Sequence, residues 1–201
     1  MDINEIMEKL KGSMLGEHME FMHELYEELN TRQVRFCDDF NLHCKEDCCS
    51  CCEHFVPDLT DLEAQYMALG LISEGRDQEI LELLNNRDDD MPPCPLCDSE
   101  KHIYHCKVYE WRPLICRLFG SAVTKDKTGA DTFRNCKWNE HVREITNAEL
   151  EAKKDEVVVM SDYGMRLEEE DPDNTSTRLI RSALAPAVEK LKLILSYEEM
   201  Q

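Results

Sequence analysis

The sequence predicts a mainly α-helical protein in which helices surround an irregular cysteine-rich centre with at most short strands. Two observations predict this fold: apolar residues recur at helical spacing towards both ends of the chain, and most of the eleven cysteines lie in two blocks between them. A chain of 201 residues can bury a sizeable core without crosslinks. We expect an N-terminal amphipathic helical segment at 1–36, a cysteine-cluster domain at 37–140, and a C-terminal helical segment at 141–201 that packs on the same unit.

The first half of the chain contains three predicted helical stretches. Apolar residues such as Ile6, Leu10 and Leu25 predict one or two amphipathic helices over residues 3–35. Thr60 and Glu63 form the pattern of a capping box, which predicts a helix over 60–71. A third helix is expected at 77–85, before a polar loop that leads to two prolines.

The second half contains two more predicted helices. Residues 103–104 and 108–109 are β-prone but too short for an independent sheet. Thr146 and Glu149 form a second capping-box pattern and predict a helix over 146–160, followed by a loop or linker at 167–173. A last amphipathic helix is expected at 177–199, interrupted at Pro186.

Composition excludes several classes of partner. The 43 acidic and 23 basic side chains give a formal charge of -20, which repels phosphate backbones and anionic lipid, so we expect no nucleic-acid partner. No run of eighteen apolar residues is present to span a bilayer, and the first residues lack the features of a signal peptide. We therefore expect a cytoplasmic protein without a membrane partner.

The cysteines are the strongest functional signal in the sequence. A reducing compartment disfavours structural disulfides, so metal binding or catalysis is the better explanation for so many thiols. Five of them lie within nine residues, at Cys44, Cys48, Cys49, Cys51 and Cys52. A second block contains Cys94, Cys97, Cys106 and Cys116, and Cys136 follows later. Four-coordinate zinc and iron-sulfur clusters both take ligands from separate segments, so we predict that the two blocks converge on a metal.

The motifs in these blocks resemble those of a known family. The residues that carry the resemblance are Cys48-x-x-Cys51-Cys52-x-x-Phe55, Cys94-Pro-Leu and Cys106-x-x-Tyr109-Glu-x-Arg112-Pro113-x-x-Cys116-Arg117-x-Phe119. They look like the bacterial and archaeal YkgJ-type CxxCxxCC cysteine-cluster proteins, which are described as zinc- or iron-chelating domains. The resemblance spans about residues 44–136 and leaves the flanking helices outside it.

The resemblance implies a set of eight metal ligands: Cys44, Cys48, Cys51, Cys52, Cys94, Cys106, Cys116 and Cys136. Three cysteines are then surplus, namely Cys37, Cys49 and Cys97. The sequence departs from the family pattern at three positions: Lys45 occupies the place of the first cysteine, Cys49 stands where glycine is usual, and Gly120 replaces a proline. Cys44 is therefore included because it is close to the motif, and not because it is in register with it.

Arg112 and Arg117 are candidate residues around the bound metal or cluster. A guanidinium beside thiolates donates charge-assisted hydrogen bonds to sulfur and offsets the charge of a thiolate complex. The alternative is a surface arginine with an acidic neighbour. Histidines 43, 54, 102 and 105 flank the cysteines and can each supply an occasional ligand, although a structural role is the simpler expectation for each.

Two classes of function follow from the cysteines. The first is a metal-binding protein that holds zinc or an iron-sulfur cluster, with a redox, metal-sensing or structural role. Spacing alone does not separate the metals, because both accept four thiolates; the adjacent pair Cys51-Cys52 favours iron-sulfur slightly, since neighbouring residues chelate one tetrahedral ion poorly. The second is an iron-sulfur enzyme, because Cys44-x3-Cys48-x2-Cys51 has the spacing of a radical enzyme and some larger relatives resemble methylases.

The enzyme hypothesis has less support in the sequence. The alternating strands and helices of a partial barrel are missing from the pattern, as are a glycine-rich cofactor segment, an HExxH motif, a nucleophile elbow and a P-loop. A dithiol centre at Cys94 and Cys97 would need a βαβ context that the pattern also lacks. We therefore expect a protein that is not a conventional enzyme, with a metal ion as its partner.

Overall fold

The computed structural model describes residues 1–44, 48–87, 90–98, 105–139 and 143–198, and these residues confirm the mainly α fold. They form two two-stranded antiparallel sheets, β1 (Asp58–Leu59) with β4 (Arg178–Leu179) and β2 (Val123–Lys125) with β3 (Asp131–Phe133). Their helices are α1 Ile3–Leu10, α2 Met14–Phe40, α3 Ser50–His54, α4 Asp61–Ser73, α5 Asp77–Asn85, α6 Leu114–Leu118, α7 Asn147–Ala152, α8 Met160–Glu170 and α9 Ile180–Glu198.

The N-terminal segment is two helices. Helix α1 ends at Leu10, and the chain turns through Gly12, whose φ of 77° lies in the left-handed region that favours glycine. Ser13 then caps α2 by accepting a hydrogen bond from the Gly16 amide at 3.1 Å. Helix α2 runs to Phe40, five residues beyond the predicted limit, because Phe36 and Phe40 are both buried on its inner face.

Helix α4 is the centre of the fold. It contacts α1, α2, α5 and α9, and its residues are buried on nearly every side. The predicted capping box is confirmed: the Thr60 hydroxyl accepts from the Glu63 amide at 3.3 Å, and Glu63 accepts from the Thr60 amide at 2.9 Å. A helix that is apolar all round is expected only where other helices cover it, and α4 is covered in this way.

The predicted helix over 146–160 is wrong in its second half. Its capping box at Thr146 and Glu149 is present, but α7 ends at Ala152. The β-branched residues 157–159 are extended, and Val158 accepts a hydrogen bond from the Val123 amide at 2.8 Å. Helix α8 then covers 160–170 and takes in part of the predicted loop at 167–173.

Helix α9 continues through Pro186, so the predicted interruption is wrong. Proline removes one helical hydrogen bond, but the buried Leu184 and Val188 on either side hold the helix against the core. Two short pieces of the chain were β-prone in the sequence. Residues 103–104 lie outside the described residues, and Tyr109 of the second piece belongs to a 3-10 turn that runs to Trp111.

One hydrophobic core joins the terminal helices to the cysteine-rich centre. It includes Ile6 of α1, Leu29 of α2, Met67 of α4 and Leu184 of α9, each fully buried. The division into segments 1–36, 37–140 and 141–201 remains a prediction. In the described part of the chain, no helix is both long enough and apolar enough to cross a membrane.

Candidate metal centre

The second cysteine block is bonded to the first through the backbone. The Cys94 amide donates a hydrogen bond to the Cys52 carbonyl of α3 at 2.7 Å. Cys97 and Cys106 then form an antiparallel bridge, in which the Lys107 amide donates to the Leu96 carbonyl at 2.9 Å. Four cysteines from three segments therefore lie side by side.

Cys136 is brought to the same region by two contacts. The Asn139 side chain donates from Nδ2 to the His43 carbonyl at 2.8 Å, which holds the turn after Cys136 beside the segment that carries Cys44. Gly120, with a φ of 70°, lies so close that an added Cβ would be 2.9 Å from the Cys136 Cβ. The glycine that replaces the family's proline is therefore required by both backbone conformation and space.

Helix α6, which carries Cys116, is positioned by a buried carboxylate. Glu63 Oε1 accepts from the Leu114 amide at 2.7 Å and from the Tyr26 hydroxyl at 3.2 Å. The turn before α6 is anchored by Trp111, whose indole donates to Glu74 at 2.7 Å and covers Gly70. The core helices thus fix the position of Cys116.

Arg112 acts electrostatically on several of the thiols. Burial raises the pKa values of Cys44, Cys106 and Cys116, and the positive charge of Arg112 partly offsets the rise in each. Arg112 Nε donates to the Tyr109 carbonyl at 2.8 Å, and its guanidinium lies 3.4 Å from the centre of the Tyr109 ring. One guanidinium therefore acts on cysteines from three separate segments.

Arg117 lies in a different environment from Arg112. It is 6% exposed, donates to Asn30 Oδ1 at 3.0 Å and to the Glu110 carbonyl, and lies over the Tyr26 ring. Its Nε donates to the Arg112 carbonyl at 2.7 Å. These contacts connect Arg117 to the proposed metal site through the backbone of Arg112, and the position of either arginine beside the metal stays a prediction.

The thiols differ in their affinity for protons. Burial raises the pKa of Cys94 to about 12, and it also raises that of Cys116, where Cys106 and Cys94 add to the effect. The Sγ atoms of Cys51 and Cys52 are 3.9 Å apart, and the hydrogen bond between them lowers the pKa of Cys51 and raises that of Cys52. All eleven cysteines are free thiols.

The donor set suits zinc or iron. Thiolates are preferred ligands of both metals, and the 3.9 Å between the Cys51 and Cys52 sulfurs is close to the ~3.8 Å expected for two thiolates on one tetrahedral zinc ion. The adjacency of these residues is therefore no argument against a single ion. Within the described ranges no three cysteine, histidine or acidic side chains are already arranged to hold an ion.

A histidine nitrogen adds to this fit. His105 Nδ1 lies 3.1 Å from the Asp98 carbonyl, while its Nε2 is buried and has no hydrogen-bond partner among the described residues. A ring nitrogen bonded to a backbone carbonyl leaves the other nitrogen free to ligate, as in many metal sites. His102 lies outside the described residues.

The surplus cysteines occupy two places. Burial raises the pKa of Cys37 to about 11, nearby Cys44 and Asp38 add to the rise, and a hydrogen bond with Ser121 partly offsets it. Cys49 and Cys97 lie against each other: burial raises the pKa of Cys97, and a hydrogen bond with Cys49 lowers it. Cys97 is thus close to the proposed ligands, which the sequence pattern did not indicate.

An aromatic cluster that sequence reasoning did not identify joins the cysteine-bearing segments. Phe119 stacks on Trp138 at 6.0 Å between ring centres and lies 6.1 Å from Phe55, while Trp138 lies 5.1 Å from His54. These rings come from the ends of α3 and α6 and from the turn after Cys136. Phe55 and Phe119 belong to the motifs that carry the family resemblance, whereas Trp138 had no sequence signal beyond following Cys136 by two residues.

Fold and site together define a class, a mainly α-helical protein with a cysteine-rich centre assembled from separate segments. A family model described as "CxxCxxCC: Putative zinc- or iron-chelating domain" matches residues 43–156, more than half of the chain, and the chain belongs to this family. No curated protein and no solved structure matches it significantly.

Proposed function

We propose that this chain binds zinc or iron through eight cysteine thiolates, with a redox, metal-sensing or structural role in the cytoplasm. The proposed ligands are Cys44, Cys48, Cys51, Cys52, Cys94, Cys106, Cys116 and Cys136. Membership of a zinc- or iron-chelating family supports the metal class. A reducing compartment would keep the proposed ligands as thiols, because oxidation to disulfides would remove them.

The observation that carries the proposal is the placement of Cys52, Cys94 and Cys106 side by side by backbone hydrogen bonds between three segments. The guanidinium of Arg112 also acts on Cys44, Cys106 and Cys116. Positive charge beside thiols suits thiolate complexes, whose excess negative charge it offsets. Thiols without a metal would gain little from such an arrangement and would be prone to oxidation.

Metal analysis of protein prepared without oxygen tests this proposal. We expect stoichiometric zinc or iron that survives dialysis, and visible absorption bands if the metal is in an iron-sulfur cluster. Thiol titration should recover fewer reactive thiols before a chelator is added than after. A metal-free chain whose thiols all react at once would contradict the proposal.

A further inference from the structure

Cys97 and Cys106 face each other across a short antiparallel ribbon. The amides of Asp98 and Lys107 each donate to a carbonyl of the opposite segment at 2.9 Å, one on either side of this pair. Cys97 and Cys106 are therefore a non-hydrogen-bonded pair of the bridge. The side chains of such a pair lie on the same face of the ribbon, with Cβ atoms ~4.5–5.5 Å apart.

A tight turn connects Cys97 to Cys94. The Cys97 amide donates to the Cys94 carbonyl at 3.0 Å, which closes a four-residue turn. Two cysteines separated by two residues have the ligand spacing of many structural zinc sites. The Cys94 amide is in turn bonded to the Cys52 carbonyl. The backbone thus connects Cys97 directly to two of the proposed ligands, Cys94 and Cys106, and through Cys94 to a third.

The spacing of the Cys97–Cys106 pair suits ligation of one ion. Two thiolates on a tetrahedral zinc ion lie ~3.8 Å apart. Cβ atoms ~4.5–5.5 Å apart allow their sulfurs to reach that separation. In the part of the chain that the structure describes, no three donor side chains are already in place. Each cysteine sulfur moves by rotation about a single side-chain bond, so the backbone decides which thiols can converge.

We propose that Cys97 is a metal ligand of this chain, in one donor set with Cys94 and Cys106. The family pattern leaves Cys97 outside its ligands, whereas the backbone of this chain places it between two of them. The inference rests on the proposed function and adds a thiolate to its ligands. The competing explanation is that Cys97 is only a small side chain packed against the core, which it contacts.

The zinc affinity of Cys97→Ser tests this assignment, with Cys49→Ser as the matched control. Both thiols are free, partly buried and surplus to the family pattern, but Cys49 precedes α3 and is not part of the bridge. Affinity is measured without oxygen by competition for Zn²⁺ with a chromophoric chelator. Changes around a ligand cost about 10–100-fold in affinity, so loss of the Cys97 ligand should cost more than ~100-fold, whereas Cys49→Ser should stay within ~10-fold of wild type.

Two further readouts separate ligation from packing. Cys97→His should recover most of the affinity that Cys97→Ser loses, because imidazole also ligates zinc while a bulkier ring would not restore the packing of a thiol. Cys97→Ser should lower the melting temperature of the zinc-loaded chain and leave that of the metal-free chain unchanged.

Alkylation of wild type, mapped by mass spectrometry, tests the assignment without any substitution. In the zinc-loaded chain Cys97 should be protected as strongly as Cys106, and a chelator should expose both. A loss of less than ~100-fold in Cys97→Ser, or alkylation of Cys97 while Cys106 is protected, would overturn the assignment and leave the proposed function standing. Absence of zinc binding from wild type would overturn the proposed function and the assignment with it.

Discussion

Gly120→Ala should displace Cys136 and weaken the proposed metal site. At a φ of 70°, an alanine costs about 1–2 kcal/mol because its Cβ crowds the backbone. The new Cβ would also lie 2.9 Å from the Cys136 Cβ, closer than carbon atoms approach without a shift, and overpacking of this kind adds ~1–3 kcal/mol.

Gly129→Ala is the matched control for this prediction. Gly129 has a φ of 84°, but nothing lies within 4 Å of the added Cβ, so only the backbone strain applies. The stabilities of the two variants should therefore differ by the ~1–3 kcal/mol of the contact with Cys136. This difference corresponds to roughly 2–12 °C in melting temperature for a chain of this size.

Thermal melts followed by circular dichroism, with zinc content measured on the same samples, test the comparison. We expect Gly120→Ala to melt below Gly129→Ala and to bind less zinc, while Gly129→Ala keeps its zinc. Equal melting temperatures together with full zinc content in Gly120→Ala would show that Cys136 is free to move and that its position is not fixed by this contact.

Three further predictions concern the arginine, the core and pH. Arg112→Ala should keep the metal but lose it to a chelator about 10–100 times faster than wild type, or shift the potential of bound iron. Arg112→Lys should have a smaller effect. An unchanged rate of metal loss in the alanine variant would remove Arg112 from the site. Gly70→Ala should destabilise the fold by about 1–3 kcal/mol or more in urea unfolding, because the added Cβ would lie 2.0 Å from the Trp111 ring. An unchanged unfolding midpoint would mean that Trp111 does not anchor the turn before α6. In the metal-free chain, burial raises the Cys94 pKa from 9.0 to about 12, so the folded state keeps this proton longer than the unfolded chain does. The stability from this group is complete below pH 9 and is lost as pH rises towards about 12. The pH dependence of metal binding runs the other way, because protons compete with the metal for the thiolates and the affinity for metal must decrease as the pH decreases. Unfolding curves and zinc-binding curves measured across the pH range distinguish the two trends.

Local signals in the sequence identified most helices but not all of their limits. The capping boxes at Thr60 and Thr146 are present as predicted, because they depend only on residues three apart. The end of α7 was missed because extension of residues 157–159 depends on a hydrogen bond with Val123, which is distant in sequence. Continuity through Pro186 was missed for a related reason, since burial of its neighbours is a tertiary property.

The candidate site was predictable in composition but not in arrangement. Cysteine spacing and the family motifs indicated which segments carry the candidate ligands, and the backbone places Cys52, Cys94 and Cys106 side by side. Spacing could not indicate that Glu63 would hold the start of α6, nor that Asn139 would bond to His43. Those contacts join segments more than fifty residues apart in sequence, and they determine which cysteines are neighbours.

The central claim, that cysteine thiolates hold a metal and organise the fold, is tested most directly by metal content per chain in anaerobically prepared Cys116→Ser beside Cys37→Ser. Cys116 has Cys106 and Cys94 as neighbours, whereas Cys37 lies outside the proposed ligand set. The account predicts reduced bound metal and a lower melting temperature in Cys116→Ser, with both quantities unchanged in Cys37→Ser. Full metal content and an unchanged melt in Cys116→Ser would contradict it.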